Sequence, residues 1–261
     1  MKYLLALTGI LSFSFLSAQV NFADSLFARQ EYYRAITEYQ RSYYNDGDKD
    51  YCHFMIRNCY WLGEDYTGLI EYLKGCSDPV DHIYYSFAHL KNNRPDLALI
   101  LNANLANPLQ KTLHCLSCSY LGKEKEVEEN LKKINEREYQ DIKAKLGKLN
   151  QELKEQHYKS PYLAGGLAIV PGLGYAYAGA LQTSISAFIT NLLIWGSVFE
   201  LGKKELYFSS GALAVVGTGF YLGNIYGSVN FAARNNNNKR KNIIDKQLDV
   251  FFKELIKVES R

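Results

Sequence analysis

Gln30-Glu31-Tyr32-Tyr33-Arg34-Ala35-Ile36-Thr37-Glu38-Tyr39 is echoed downstream by Glu64-Asp65-Tyr66-Thr67-Gly68-Leu69-Ile70-Glu71-Tyr72-Leu73. Tyr32 and Tyr66, Ala35 and Leu69, and Ile36 and Ile70 therefore stand thirty-four positions apart. Within each copy the apolar residues recur at three and four, the spacing that gathers side chains onto one face of an α-helix. A fixed period of this length marks a two-helix unit that cannot bury its apolar stripe alone and is stabilised by stacking on its neighbours. From Phe22 to about Ile134 helical periodicity is interrupted only by short polar turns, with no alternating run of strand type. The expected class is all-α.

The first unit resembles a tetratricopeptide repeat, with Ala23 at the small position of the first helix, Tyr32 at the turn aromatic, and Ala35, Tyr39 and Ser42 at second-helix packing positions. The second unit resembles the family at Ile56, Tyr60, Tyr66 and Cys76. It departs where Arg57 replaces a small residue and Leu69 replaces alanine. Two weaker, shorter units follow, one anchored on Ser86 and Ala98 and the other on Cys115 and Val127. The resemblance covers a little under half the chain. It implies a concave surface that binds a peptide or protein partner, lined here by Tyr51, Phe54, Asn58, Trp61 and Phe87. The alternative is that these aromatics are core, because aromatics at helical spacing usually pack inward.

Upstream of the repeats, Met1-Lys2, the apolar run Tyr3 to Leu16, and Ser17-Ala18-Gln19 follow the plan of a secretory signal peptide over residues 1–18. An uncleaved anchor or a first buried helix is the alternative. The chain has 261 residues and a net charge of +3, too little for a phosphate-binding surface, and its basic residues cluster only briefly near the tail. Nucleic acid is therefore not an expected partner. Tyrosine is abundant at 21 residues, which suits both helical-repeat interiors and membrane interfaces.

His114-Cys115-Leu116-Ser117-Cys118 has the spacing of a redox or metal motif. In the repeat register, however, Cys115 takes the small first-helix position and Cys118 a packing position beside it. Both are expected to act as small hydrophobes, as are Cys52 and Cys59 on one helix face. A zinc site would need four ligands and no second such pair is present, so neither metal nor cofactor is expected. No Ser/His/Asp set or phosphate loop is visible either, so the expected role is non-catalytic.

Lys123 to Lys159 is rich in Lys and Glu, with Val127, Leu131, Ile134, Ile142, Leu146, Leu149 and Leu153 as an apolar stripe. It is expected to be a connector helix closing a repeat domain over residues 19–159. Ser160-Pro161 then ends the helix and opens a membrane module over residues 160–233. Tyr162 to Ala233 holds only four charged residues, Glu200, Lys203, Lys204 and Glu205. They separate two stretches long enough to cross a bilayer, Leu181 to Leu201 and Leu206 to about Ala232. Before them, Pro171, Gly172 and Gly174 interrupt a first apolar piece, which could be broken or re-entrant. Together with Ser160-Pro161 and Tyr177-Ala178-Gly179, this piece resembles the proline-glycine hairpin of small bacterial two-transmembrane domains. Gly219, Gly223 and Gly227 lie on one helix face, where they allow close packing within the chain or self-association into a homo-oligomer.

Arg234, four asparagines and Lys239-Arg240-Lys241 are read as a polar stop. An amphipathic helix follows within the basic tail, residues 234–261, carrying Ile243, Ile244, Leu248, Phe251, Phe252, Leu255 and Ile256. It would lie on membrane lipid or pack back onto the soluble region. The basic bias of this tail favours three crossings, with the repeats in the periplasm, the module in a bacterial inner membrane and the tail inside. Two functions follow. One is a membrane-anchored adaptor binding a peptide or protein in the repeat groove; the other is an assembly, insertion or transport component whose glycine-rich bundle is the active part. A polar site buried in the membrane module would point to the second.

Overall fold

The computed structural model describes residues 20–45 and 47–260. The expected signal peptide lies outside the described residues. Those residues are helical, with no strand among them. They form two compact units. Unit 1 comprises the described residues up to Cys118, then Lys125–Leu146, then the described residues from Asp249; unit 2 comprises Ser119–Glu124 and Gly147–Leu248.

The chain through Lys132 is built from helix pairs. The described part of α1 is residues 20–28, followed by α2 (Tyr32–Tyr44), α3 (Lys49–Leu62), α4 (Tyr66–Tyr72), α5 (Pro79–Lys91), α6 (Pro95–Leu101), α7 (Pro108–Leu121) and α8 (Glu124–Lys132). The turn inside each pair carries the same backbone device: Gln30, Glu64, Asn93 and Gly122 all have positive φ. At the first three, the next residue donates its N–H to the carbonyl five positions back: Glu31 to Leu26, Asp65 to Tyr60 and Arg94 to His89, at 2.8–3.0 Å. This Schellman closure satisfies helix-end carbonyls that would otherwise lack a partner. The turns fall thirty-four, then twenty-nine, then twenty-nine residues apart, so the later units are shorter.

Asp48, Asp65 and Asp78 cap the starts of α3, α4 and α5 by accepting backbone N–H bonds. Ala23, Ala35, Tyr39, Ile56, Ser86, Ala98, Cys115 and Val127 are all buried, and each repeat helix from α2 to α6 packs on the next. The residue out of pattern, Arg57, is also buried; its guanidinium bonds the Asp81 carboxylate at 2.5 Å.

The expected single connector helix is instead broken. After α8 come a short 3-10 turn (Arg137–Tyr139) and α9 (Gln140–Glu155). Ile134 at the break is fully buried, while Lys111 and Lys143 donate to the carbonyls of Lys133 and Ile134. Lysine donors thus satisfy the helix end and make the break stable.

In unit 2 the first apolar piece forms α10 (Pro161–Leu167) and α11 (Leu173–Ala178). At seven and six residues, each is about 10 Å long. That is far short of a hydrocarbon core of about 30 Å. Gly174 packs so closely on Ala164 that a Cβ would strike its carbonyl, and Gly172 (φ +89°) lies equally close to the Ser184 carbonyl. The piece therefore folds back on itself, because the Pro171-Gly172 turn reverses the chain. Helices α12 (Leu181–Lys203) and α13 (Tyr207–Glu259) are each long and apolar enough to cross a membrane. Only 6% of the apolar window of α12 and 17% of that of α13 are buried, unlike the core helices of a soluble protein.

Helix α13 does not stop at the asparagines. Asn236 exchanges two bonds with the backbone of Lys159 (2.7 and 2.9 Å), and Asn235 donates to the Ala178 carbonyl at 3.2 Å. These side chains bond distant backbone rather than competing for their own helix, so the run stays helical.

Candidate helix-binding groove

Three side chains of the repeats, Trp61 at the end of α3 and Tyr84 and Phe87 on α5, meet one aromatic from the end of α13. The Phe252 ring stacks on Trp61 with centroids 4.2 Å apart and planes at 11°. Tyr84 and Phe87 meet it edge-on at 4.9 and 5.2 Å. Trp61 also contacts Tyr84 and Tyr66 edge-on. Offset and edge-on arrangements place ring hydrogens against π-faces and add to the gain from burial. Phe251 and Leu255 from the same segment are buried too.

The rim is polar and largely of opposite charge. Lys91 bonds Asp249 at 3.0 Å, Lys145 bonds Glu254, and the Tyr139 hydroxyl bonds Glu259. The end of α13 is therefore an amphipathic helix whose aromatic centre meets the repeats and whose Asp249, Glu254 and Glu259 meet their rim.

A polar network supports the box from behind. Asn58 accepts from the Tyr84 hydroxyl at 2.9 Å, and the Arg57 guanidinium lies 4.5 Å from the Tyr84 ring centroid. Asp81 holds Arg57 and, at 2.8 Å, His53 Nε2, while His53 Nδ1 meets the Tyr72 hydroxyl at 2.8 Å. Burial works to raise the Asp81 pKa, but the bonds from His53 and Arg57 outweigh it and hold the carboxyl below its ordinary range.

Of the residues singled out in the sequence, Trp61 and Phe87 join the box, with Asn58 behind it. Tyr51 and Phe54 are elsewhere: Tyr51 donates to Asp24 at 2.8 Å, and Phe54 is exposed with Arg57 over its ring. Sequence reasoning missed Tyr84, which shares the α5 face with Phe87. It left Phe252 on a helix with two alternative destinations; the structure packs that helix's end within unit 1.

Cys115 and Cys118 are buried. Burial, then the charges of Cys118 and Glu126, push the Cys115 thiol up to about 12, opposite to the shift that activates a thiolate. His114, Cys118 and Glu126 bring three metal-type donor atoms within 4.8 Å of one another, and His114 Nε2 bonds Glu126 at 3.0 Å. That set is one ligand short of a closed zinc site.

In unit 2, Gly227 packs against the Tyr175 hydroxyl, whereas a Cβ at Gly219 or Gly223 would enter open space. Compared with known proteins, the chain matches no family model, no curated protein and no solved structure.

Proposed function

We propose that this chain is a non-catalytic, membrane-anchored scaffold whose tetratricopeptide-like groove receives an amphipathic helix with an aromatic anchor and carboxylates facing the groove rim. The observation that carries the reading is the seating of Phe252 against Trp61, Tyr84 and Phe87, with Lys91, Lys145 and Tyr139 meeting the acidic side of the same segment. Helix-in-groove recognition uses an apolar face presented to a groove, with rim charges setting orientation. In the free chain the groove is filled by its own C-terminal segment, so an outside partner must displace it. The recurrent turn geometry of the helix pairs supports the repeat resemblance.

Anchoring rests on the length of α12 and α13 and on how little of their apolar surface is covered. We place the repeats outside the cytoplasm, at the inner membrane of a bacterium, on the strength of the export signal. The test is a chain truncated after Leu248 and offered a labelled peptide of residues 243–261. The truncated chain should bind the peptide and the full chain should not. Failure of the folded truncated chain to bind would reject the groove.

A further inference from the structure

Between α12 and α13 lies a cleft of about 460 Å³, within the range of small-molecule sites. Asn191 and Asn224 line it and are only 4% and 6% exposed. Asn191 Nδ2 donates to the Ala187 carbonyl at 2.8 Å, but its Oδ1 has no partner, and neither amide atom of Asn224 has one. Buried amides without partners are unfavourable, and the more so in hydrocarbon, where water is scarce. Asn191 is the eleventh of the 23 residues of α12, so in a spanning helix it sits near mid-bilayer.

The cleft is open because Gly219 and Gly223 lack side chains: a Cβ at either would meet nothing within 4 Å. Thr190 and Tyr175 add hydroxyls to the lining, which contains no Asp, Glu, Lys or Arg. We propose that this cleft binds an uncharged amphiphile, a molecule carrying a hydroxyl, ester or carboxamide on an apolar chain. The polar group would take the free Asn191 oxygen and the Asn224 amide, and the chain would lie along the glycines. A charged head group would find no counter-charge and would be desolvated without compensation. The inference rests on the membrane reading of α12 and α13 but not on the groove, and it favours the second of the two expected functions, in which the glycine-rich bundle is itself active.

The test uses the full chain in neutral detergent, with native mass spectrometry counting adducts of 1-oleoylglycerol, oleate and oleylamine. The uncharged lipid should bind at least about tenfold more tightly than either charged one. Gly223→Leu, which fills open space and should leave helix content unchanged, should abolish that adduct. Asn191→Leu with Asn224→Leu should weaken it by about tenfold or more. Should the double variant fail to fold, Gly223→Leu alone decides. Absence of an adduct, or one indifferent to Gly223→Leu, overturns the proposal. So does a dimer that Gly223→Leu converts to monomer without any lipid adduct, which would assign the face to a second copy. Carbonate washing of membranes separates the two readings: a chain released by carbonate refutes the anchor, while a retained chain without lipid refutes only the cleft.

Discussion

Arg57 occupies a position where the repeat pattern calls for a small residue, and it is tolerated because Asp81 on α5 neutralises it in the interior. A buried pair of this kind contributes little net stability while intact, yet removing one partner strands the other. Asp81→Ala should therefore cost about 3–5 kcal/mol, read as a lower urea midpoint. The Asp81 pKa is depressed in the folded state, so its contribution is present above its ordinary value of 3.8 and lost as the pH falls through the folded value. His89 titrates at milder pH. Burial, then the Arg94 charge, lowers its pKa below 6.5, so the unfolded chain binds the proton more readily. Stability should fall as the pH drops from about 6.5, and the slope should flatten in His89→Gln; equal slopes in the two proteins would contradict the assignment. The cysteines give a simpler measure. Cys76 is exposed, whereas Cys52, Cys59, Cys115 and Cys118 are buried, so one of five thiols should react rapidly with a thiol reagent before denaturation. Fast reaction of Cys115 or Cys118 would revive the redox reading.

At the scale of elements, the decisive contact is that between the end of α13 and the repeats. Phe252→Ala should destabilise unit 1 by about 3 kcal/mol, with Trp61 fluorescence in a Trp195→Phe background changing as its stacking partner is lost. Unchanged stability and emission would mean that the segment is not seated. Much of the helical pattern was legible in advance because small residues such as Ala23, Ala35 and Ala98 mark close helix approaches within one repeat period. The destination of the C-terminal segment was not. Phe251 and Phe252 reveal an apolar face but not its destination, since bilayer and protein both satisfy it. The run of four asparagines looked like a stop because asparagine favours turns; the backbone of Lys159 and Ala178 that engages two of them is remote in sequence. The break at Ile134 was hidden because the lysines that satisfy its carbonyls, Lys111 and Lys143, are twenty-two and nine residues away from them, beyond helical spacing.

For the whole molecule, topology follows from which segments share a unit. Residues from Asp249 onward belong to unit 1 with the repeats, and the membrane anchor proposed above therefore predicts an even number of crossings in the chain between. With α10 and α11 too short to span, that proposal assigns two crossings to α12 and α13. The charge of the tail had favoured three. Part of that charge is engaged within the protein: Arg240 bonds Glu124 at 2.7 Å and lies over the Tyr158 ring, and Arg234 lies over Phe231. Such charges no longer weigh as free cytoplasmic anchors. The most direct test is a reporter active only in the cytoplasm, fused after Arg261 or inserted at Lys204. The account predicts silence after Arg261 and activity at Lys204; activity after Arg261 with silence at Lys204 would contradict it.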